Sequence, residues 1–180
     1  MKNILIIYGT REGQTEKIAK QITAHLQKAG ESVLIINAKD KSLLKNLDLN
    51  AFDVLVFGAS MHAGGLENEL VNFINSHKEQ IEAKPRWFFL VCLSAATKDP
   101  TRKENSLKEA QEKIEEQLQV QFDGAEMIAG ALMYSKYFLP IKWIMKSIAK
   151  KNGEGTDMSK DYEYTDWKQV ERYSEKISKI

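Results

Sequence analysis

The residues best suited to chemistry in this chain are the hydroxyls and glycine of the turn Thr10-Arg11-Glu12-Gly13-Gln14-Thr15. An unbroken apolar run, Ile4 to Ile7, leads into the turn, and Ile18, Ala19 and Ile22 follow at helical spacing. A strand therefore runs through a tight loop into a helix N-terminus. Such a terminus offers unpaired backbone N–H groups and a partial positive charge, both of which favour a phosphate. Neither G-x-G-x-x-G nor G-K-[ST] is present, which excludes the usual dinucleotide and nucleoside triphosphate loops. Two further loops carry small or polar residues: Gly58-Ala59-Ser60-Met61-His62-Ala63-Gly64-Gly65 and Leu93-Ser94-Ala95-Ala96-Thr97. No metal-ligand spacing joins His25, His62 and His77, so no metal site is expected.

The first turn resembles the flavin mononucleotide (FMN) phosphate loop of flavodoxins, [ST]-x-[ST]-G-x-[ST], with Glu12 standing where a hydroxyl residue is usual. The resemblance implies that Thr10, Arg11, Glu12, Gly13, Gln14 and Thr15 hold the phosphate. In flavodoxin-like proteins the other two loops flank the isoalloxazine ring, which here points to Ser60, Met61, His62 and Gly64, and to Leu93, Ser94, Ala95 and Ala96. Small residues let backbone amides approach the ring edge. Neither loop supplies an aromatic side chain, so at least one flavin face is expected to be open. A flavin performs the redox step itself, so no catalytic triad is expected. His62 admits two readings: a hydrogen-bond partner or proton donor beside the flavin, or a loop histidine without a role. Cys92, the lone cysteine, reads as a small buried hydrophobe. At the end of the second strand, Asn37-Ala38-Lys39 replaces the acid that a dinucleotide ribose requires.

The elements that must position these loops alternate. Strands are expected at residues 4–7, 32–37, 54–58, 87–93 and 127–133. Helices are expected at 66–77, with Leu70, Phe73 and Ile74 on one face, and at 104–119, with Leu107, Ala110, Ile114 and Leu118. A last helix begins near Asp166 and carries Trp167, Val170, Tyr173 and Ile177. The pattern predicts an α/β fold, a flavodoxin-like doubly wound five-stranded parallel sheet with helices on both faces. Residues 1–180 are expected to form one flavodoxin-like domain with a long insertion at about 134–165.

Within that insertion, residues 136–151 read as a basic amphipathic helix. Ile141, Ile144, Met145 and Ile148 share one face and Lys142, Lys146 and Lys150 another, Pro140 suits the first turn, and residues 135–151 contain no acidic residue. Two readings stand: a membrane-surface helix, or an ordinary surface helix packed on its own sheet. No stretch of about 18 apolar residues exists, so no membrane span is expected. The 180 residues include 26 Lys and Arg against 25 Asp and Glu, and the net charge of +1 gives no basis for nucleic-acid binding. The single cysteine fits a reducing, cytoplasmic setting.

Taken together the chain resembles the menaquinone-dependent protoporphyrinogen IX dehydrogenases of the flavodoxin-like superfamily. The residues that carry this are the 10–15 loop, Gly58-Ala59-Ser60 with Gly64, the run Ile128-Ala129-Gly130-Ala131-Leu132-Met133-Tyr134, and the lysine-rich helix ending at Lys151. The tail Gly153-Glu154-Gly155-Thr156-Asp157, followed by Tyr164-Thr165-Asp166-Trp167, separates this family from ordinary flavodoxins. The resemblance implies FMN-dependent oxidation of protoporphyrinogen IX to protoporphyrin IX in haem biosynthesis. Menaquinone or another quinone would be the acceptor, and the site of action the cytoplasmic face of the inner membrane, reached through helix 136–151. The cluster Lys98, Arg102 and Lys103 either meets the substrate propionates or is solvated. The alternatives are a flavodoxin-like electron carrier, disfavoured by the near-zero charge, and an NAD(P)H:quinone reductase.

Overall fold

The structure, a computed structural model, describes residues 1–62, 65–97, 99–152 and 155–180. The apolar run near the N-terminus forms β1 (Asn3–Tyr8), followed by α1 (Gln14–Lys28) and β2 (Ser32–Asn37). The short α2 (Lys41–Lys45), absent from the sequence expectation, is started by the Asp40 carboxylate accepting from Leu43 N at 3.1 Å. Next come β3 (Val54–Ser60), α3 (Asn68–Ser76), α4 (Lys78–Glu82) and β4 (Arg86–Cys92). Then α5 (Pro100–Gln117) begins four residues earlier than its apolar stripe suggested. Asp99 caps it and Pro100 occupies its first position.

The main sheet has the order β2-β1-β3-β4-β5, all parallel, with β5 at Gly124–Ala129. Alternation along β1 sends Ile4 and Ile6 into one core with Ile18 and Ile22 of α1. Val170, Tyr173 and Ile177 of α7 (Trp167–Ser178) join that core. Leu5 and Ile7 enter the opposite core with Leu70, Ile74 and Ile114. Both faces of the central strands are thus covered, which is why their sequences are continuous apolar runs. The strand order reverses between β1 and β3, and a crevice for ligands opens at their carboxyl ends.

The fifth strand departs from expectation. It leaves the sheet at Gly130, where an added Cβ would lie 2.9 Å from Val91 Cγ1 and where the amide donates to Cys92 O at 3.3 Å. Residues 131–132 form β6 (Ala131–Leu132), which pairs antiparallel with β7 (Tyr162–Glu163). An apolar run shows no break where the partner strand changes, and this partner is some thirty residues away in sequence.

Between β6 and β7 lie a 3₁₀ turn (Tyr134–Lys136) and α6 (Leu139–Asn152). A small third core of Leu132, Tyr134 and Ala149 holds them, with Tyr137, Met145, Met158 and Tyr162 packed around it. The faces of α6 differ from the sequence expectation. Met145 and Ala149 turn inward, whereas Ile144 and Ile148 face out with Trp143, Leu139 and Phe138, which are 41–70% exposed. Lys142 and Lys146 lie half-buried on the flank, and the Lys146 ammonium sits 5.5 Å from the Trp143 ring centroid. Among the described residues no helix is long and apolar enough to cross a membrane.

Candidate functional site

The crevice is built first by the turn after β1. Gly9 donates to Gly58 O at 2.8 Å, tying the turn to the neighbouring strand. Thr10 Oγ1 accepts from Gly13 N at 3.0 Å, and Gly13 adopts φ of 97°, the left-handed conformation that glycine accepts without strain. No side chain caps α1. Thr15 is 1% exposed, and its Oγ1 has no hydrogen-bond partner among the described residues. An unsatisfied buried hydroxyl is costly; Tyr173 OH is likewise unpartnered but lies in the core, whereas Thr15 Oγ1 lines the crevice, where a ligand oxygen would satisfy it. Arg11 points to solvent, Glu12 is half-buried, and Gln14 is buried, with its Nε2 donating to Thr165 Oγ1 at 2.9 Å.

The loop after β3 holds a polar network that sequence reasoning recognised only in part. The Ser60 hydroxyl donates to Glu67 Oε1, and Ser60 N donates to Glu67 Oε2 at 3.2 Å. His62 Nε2 lies 2.9 Å from Ser60 Oγ, 3.3 Å from Glu67 Oε1 and 3.8 Å from Glu12 Oε2. Glu67 is 3% exposed. Burial pushes its carboxyl up, but hydrogen bonds from His62 and Ser60 outweigh that and hold it below the ordinary glutamate value. A Cβ on Gly9 would lie 2.8 Å from Glu67 Cβ, so glycine there makes room for the buried acid. Nothing in the local sequence marks Glu67, which stands where a helix is expected to begin and where acids are usually solvated. His62 and Gly65 exchange backbone hydrogen bonds of 3.1 and 3.0 Å. The expected cofactor residue Gly64, like Ala63, lies outside the described residues, as do Lys98 of the basic cluster and Gly153 and Glu154 of the tail motif.

The third loop is a 3₁₀ turn, Leu93–Ala96. Leu93 reaches the crevice, Ser94 is half-buried, and Ala95 and Ala96 pack toward the core. Cys92 lies on the crevice floor, where burial raises its thiol above the ordinary value and keeps it protonated.

Thr10, Glu12, Gln14, Thr15 and the Ser60–Met61–His62 turn line one side of the crevice, which is open to solvent at its mouth. The opposite wall was not expected. Gly130, Ala131, Tyr137 and Met145, all from the segment that follows β5, complete the lining. Tyr137 thus supplies the aromatic ring that the two flanking loops lack. Burial, reinforced by the Glu12 carboxylate, pushes its phenol up to about 12, so it stays a neutral hydrogen-bond donor. Its relevance was hidden because its neighbours read as part of a surface helix. Among the described residues no cluster of His, Cys, Asp or Glu is arranged to hold a metal.

A doubly wound parallel sheet of order β2-β1-β3-β4-β5, with a glycine-containing turn after its first strand and an open crevice at its switch point, is a flavodoxin-like architecture. Residues 5–159 match the family described as Flavodoxin domain, and the chain belongs to that family. Its cofactor is flavin mononucleotide, and the unpartnered Thr15 hydroxyl, the uncapped helix terminus and the crevice beyond them fit that group. The chain is 28% identical over 176 residues to a protein of Escherichia coli (strain K12) named Protoporphyrinogen IX dehydrogenase [quinone], covering 98% of this chain and 94% of that one. A protein of the same name from Leishmania major is 27% identical over 170 residues, 94% of this chain and 72% of that one. Oxidised Flavodoxin 1 from Bacillus cereus shares the fold with a TM-score of 0.53 and 17% identity, covering 98% of this chain and 97% of that one.

Proposed function

We propose that this chain, acting as one flavodoxin-like domain, oxidises protoporphyrinogen IX to protoporphyrin IX and delivers the electrons to menaquinone or another quinone. The observation that carries this reading is the extent of the likeness to the protoporphyrinogen dehydrogenases, which spans 98% of the chain and so includes the segment forming the second crevice wall. When bound, the flavin accepts two electrons at a time, and removal of six electrons and six protons from the substrate requires three such turnovers.

The chain's own residues bind and orient. Thr10, Arg11, Gly13, Gln14 and Thr15 hold the phosphate with amides and hydroxyls at the α1 terminus. Ser60, Met61 and Leu93 border the ring, with Gly64 in the loop and Ser94, Ala95 and Ala96 forming the turn beside it. Tyr137 and Met145 form the facing wall and exclude water. His62 is the group that holds or moves a proton at the crevice: Ser60 and Glu67 engage its Nε2 and fix the imidazole, so exchange with a ligand falls to Nδ1. Glu12 borders both the phosphate turn and His62.

The outward face of α6 gives the chain a way to meet bilayer-dissolved quinone. Phe138, Leu139, Trp143, Ile144 and Ile148 are exposed, with Lys142, Lys146 and Lys150 around them. Apolar side chains enter the acyl boundary while lysines meet anionic headgroups, each contributing about 1 kcal/mol. The protein then acts at the cytoplasmic face of the inner membrane.

The deciding assay follows porphyrin fluorescence after protoporphyrinogen and a menaquinone analogue are added to FMN-loaded protein. The expected result is a protein-dependent rate well above autoxidation. A rate equal to autoxidation removes the proposal.

A further inference from the structure

We propose that Lys39 and Lys136 form a bracket around the phosphate turn that supplies countercharge to the cofactor's terminal phosphate and makes the site select the phosphorylated flavin. This rests on the flavin mononucleotide reading. Lys39 follows β2, and its Nζ donates to Thr10 O at 3.3 Å. Lys136 ends the 3₁₀ turn before α6, and its Nζ donates to Glu12 O. The same ammonium lies 3.3 Å from the position a Cβ on Gly13 would take. Two cations from distant parts of the chain thus rest on carbonyls of one short turn.

Their surroundings set them apart from the other lysines nearby. Lys17 is paired with Glu163, and Lys20 with Glu16 at 2.5 Å. Among the described residues, neither Lys39 nor Lys136 has a carboxylate within 4.0 Å of its Nζ. Asp161 faces Lys136 from the start of β7, but its carboxylate accepts from Ser135 N at 2.8 Å and Ser135 Oγ at 2.5 Å. The Glu12 carboxylate turns toward His62. Independently of the lysines, the buried, unpartnered Thr15 hydroxyl marks the turn as a ligand site.

A phosphate monoester carries nearly two negative charges at neutral pH, its second pKa being about 6. The α1 terminus offers roughly half an elementary charge. Both ammoniums hydrogen-bond neutral carbonyls at the back of the turn rather than lining the crevice, with Asp161 near Lys136; turning to a charged phosphate oxygen is a gain, since charge-assisted bonds are about twice as strong as neutral ones. Riboflavin, without the phosphate, gains nothing from either lysine.

The test measures affinity for FMN and for riboflavin, by quenching of flavin fluorescence, in wild type, K39M, K136M, the double variant and K136R. The double variant is expected to bind FMN about tenfold or more weakly, as for loss of a close charge pair, with riboflavin affinity unchanged. K136R retains most of the preference. Salt weakens FMN binding to wild type and has little effect on the double variant. Equal weakening of both flavins assigns the lysines a structural role and overturns the proposal, as does unchanged FMN affinity in the double variant. Wild-type protein that binds neither flavin overturns the cofactor reading itself, and the bracket falls with it.

Discussion

The parallel sheet and the segment between β5 and α7 build the same crevice by opposite means. The sheet side rests on two extensive cores, and its loops approach a ligand through backbone and small side chains. Among the described residues the segment has a small core of Leu132, Tyr134 and Ala149, and it contributes large side chains, Tyr137 and Met145, to the other wall. It is attached to the phosphate turn by polar links: Gln14 to Thr165, Lys17 to Glu163, and Lys136 to Glu12 O. A wall with a small core and polar fastenings opens at lower cost than a sheet strand.

The comparison breaks first at its hydrophobic cores. Phe89 is fully buried in the sheet, so close to Gly58 that an added Cβ there would lie 2.0 Å from the ring. Phe89→Ala is expected to lower global stability by about 3–5 kcal/mol in denaturant titrations. Tyr134→Ala removes an equally buried ring from the small core, yet its effect is expected to be local. Amide exchange in α6 and β6 accelerates while the sheet amides keep wild-type protection. Acceleration throughout the sheet would show that the two regions unfold as one.

A smaller effect is expected at Glu67, whose carboxyl serves the sheet-side loop. Glu67→Gln should cost about 1–3 kcal/mol at pH 7, the range for disturbing a buried charged hydrogen-bond acceptor. The native carboxyl titrates below its ordinary value of 4.5, so its stabilisation is complete above that value and is lost as pH falls through the lower native one. The gap between wild type and variant is therefore full at neutral pH and closes in acid. A gap that stays constant to low pH would mean that the charge contributes nothing.

The smallest stability change belongs to the outward face of α6. Replacing Trp143 and Ile144 by serine should alter stability by less than about 0.5 kcal/mol, because both are exposed. The same pair should reduce co-sedimentation with anionic vesicles about tenfold or more, since each buried apolar side chain is worth about 1.5–3 kcal/mol. Unchanged sedimentation would return α6 to the role of a surface helix.

The five parallel strands, their helices and the turn at residues 10–15 were legible from local pattern. Runs such as 4–7 and 54–58 carry the signature of strands covered on both faces, and the turn carries its own hydroxyls and glycine. Thr10, Glu12, Gln14, Thr15, Ser60, Met61, His62 and Leu93 line one crevice, whereas Arg11, Gly13, Ser94, Ala95 and Ala96 are not in its lining. Glu67 was not legible, because its burial depends on Gly9 and Ser60 arriving beside it from two other strand ends. Which side of α6 meets the protein was left open, because an amphipathic stripe shows which residues lie together and not what they face; the structure splits the stripe, with Met145 inward and Ile144 and Ile148 outward.

The amino-acid order by itself determined the layered sheet, the order of its loops and the glycine-containing turn that opens α1, since each follows from short-range periodicity and from the local preferences of the turn residues. Only the tertiary structure decided that β5 ends at Gly130, that Tyr137 and Met145 close the crevice, and that Lys39 and Lys136 rest on the phosphate turn. Those outcomes depend on contacts between residues far apart in the chain, where sterics and pairing across space choose among conformations that local sequence leaves nearly equal in energy.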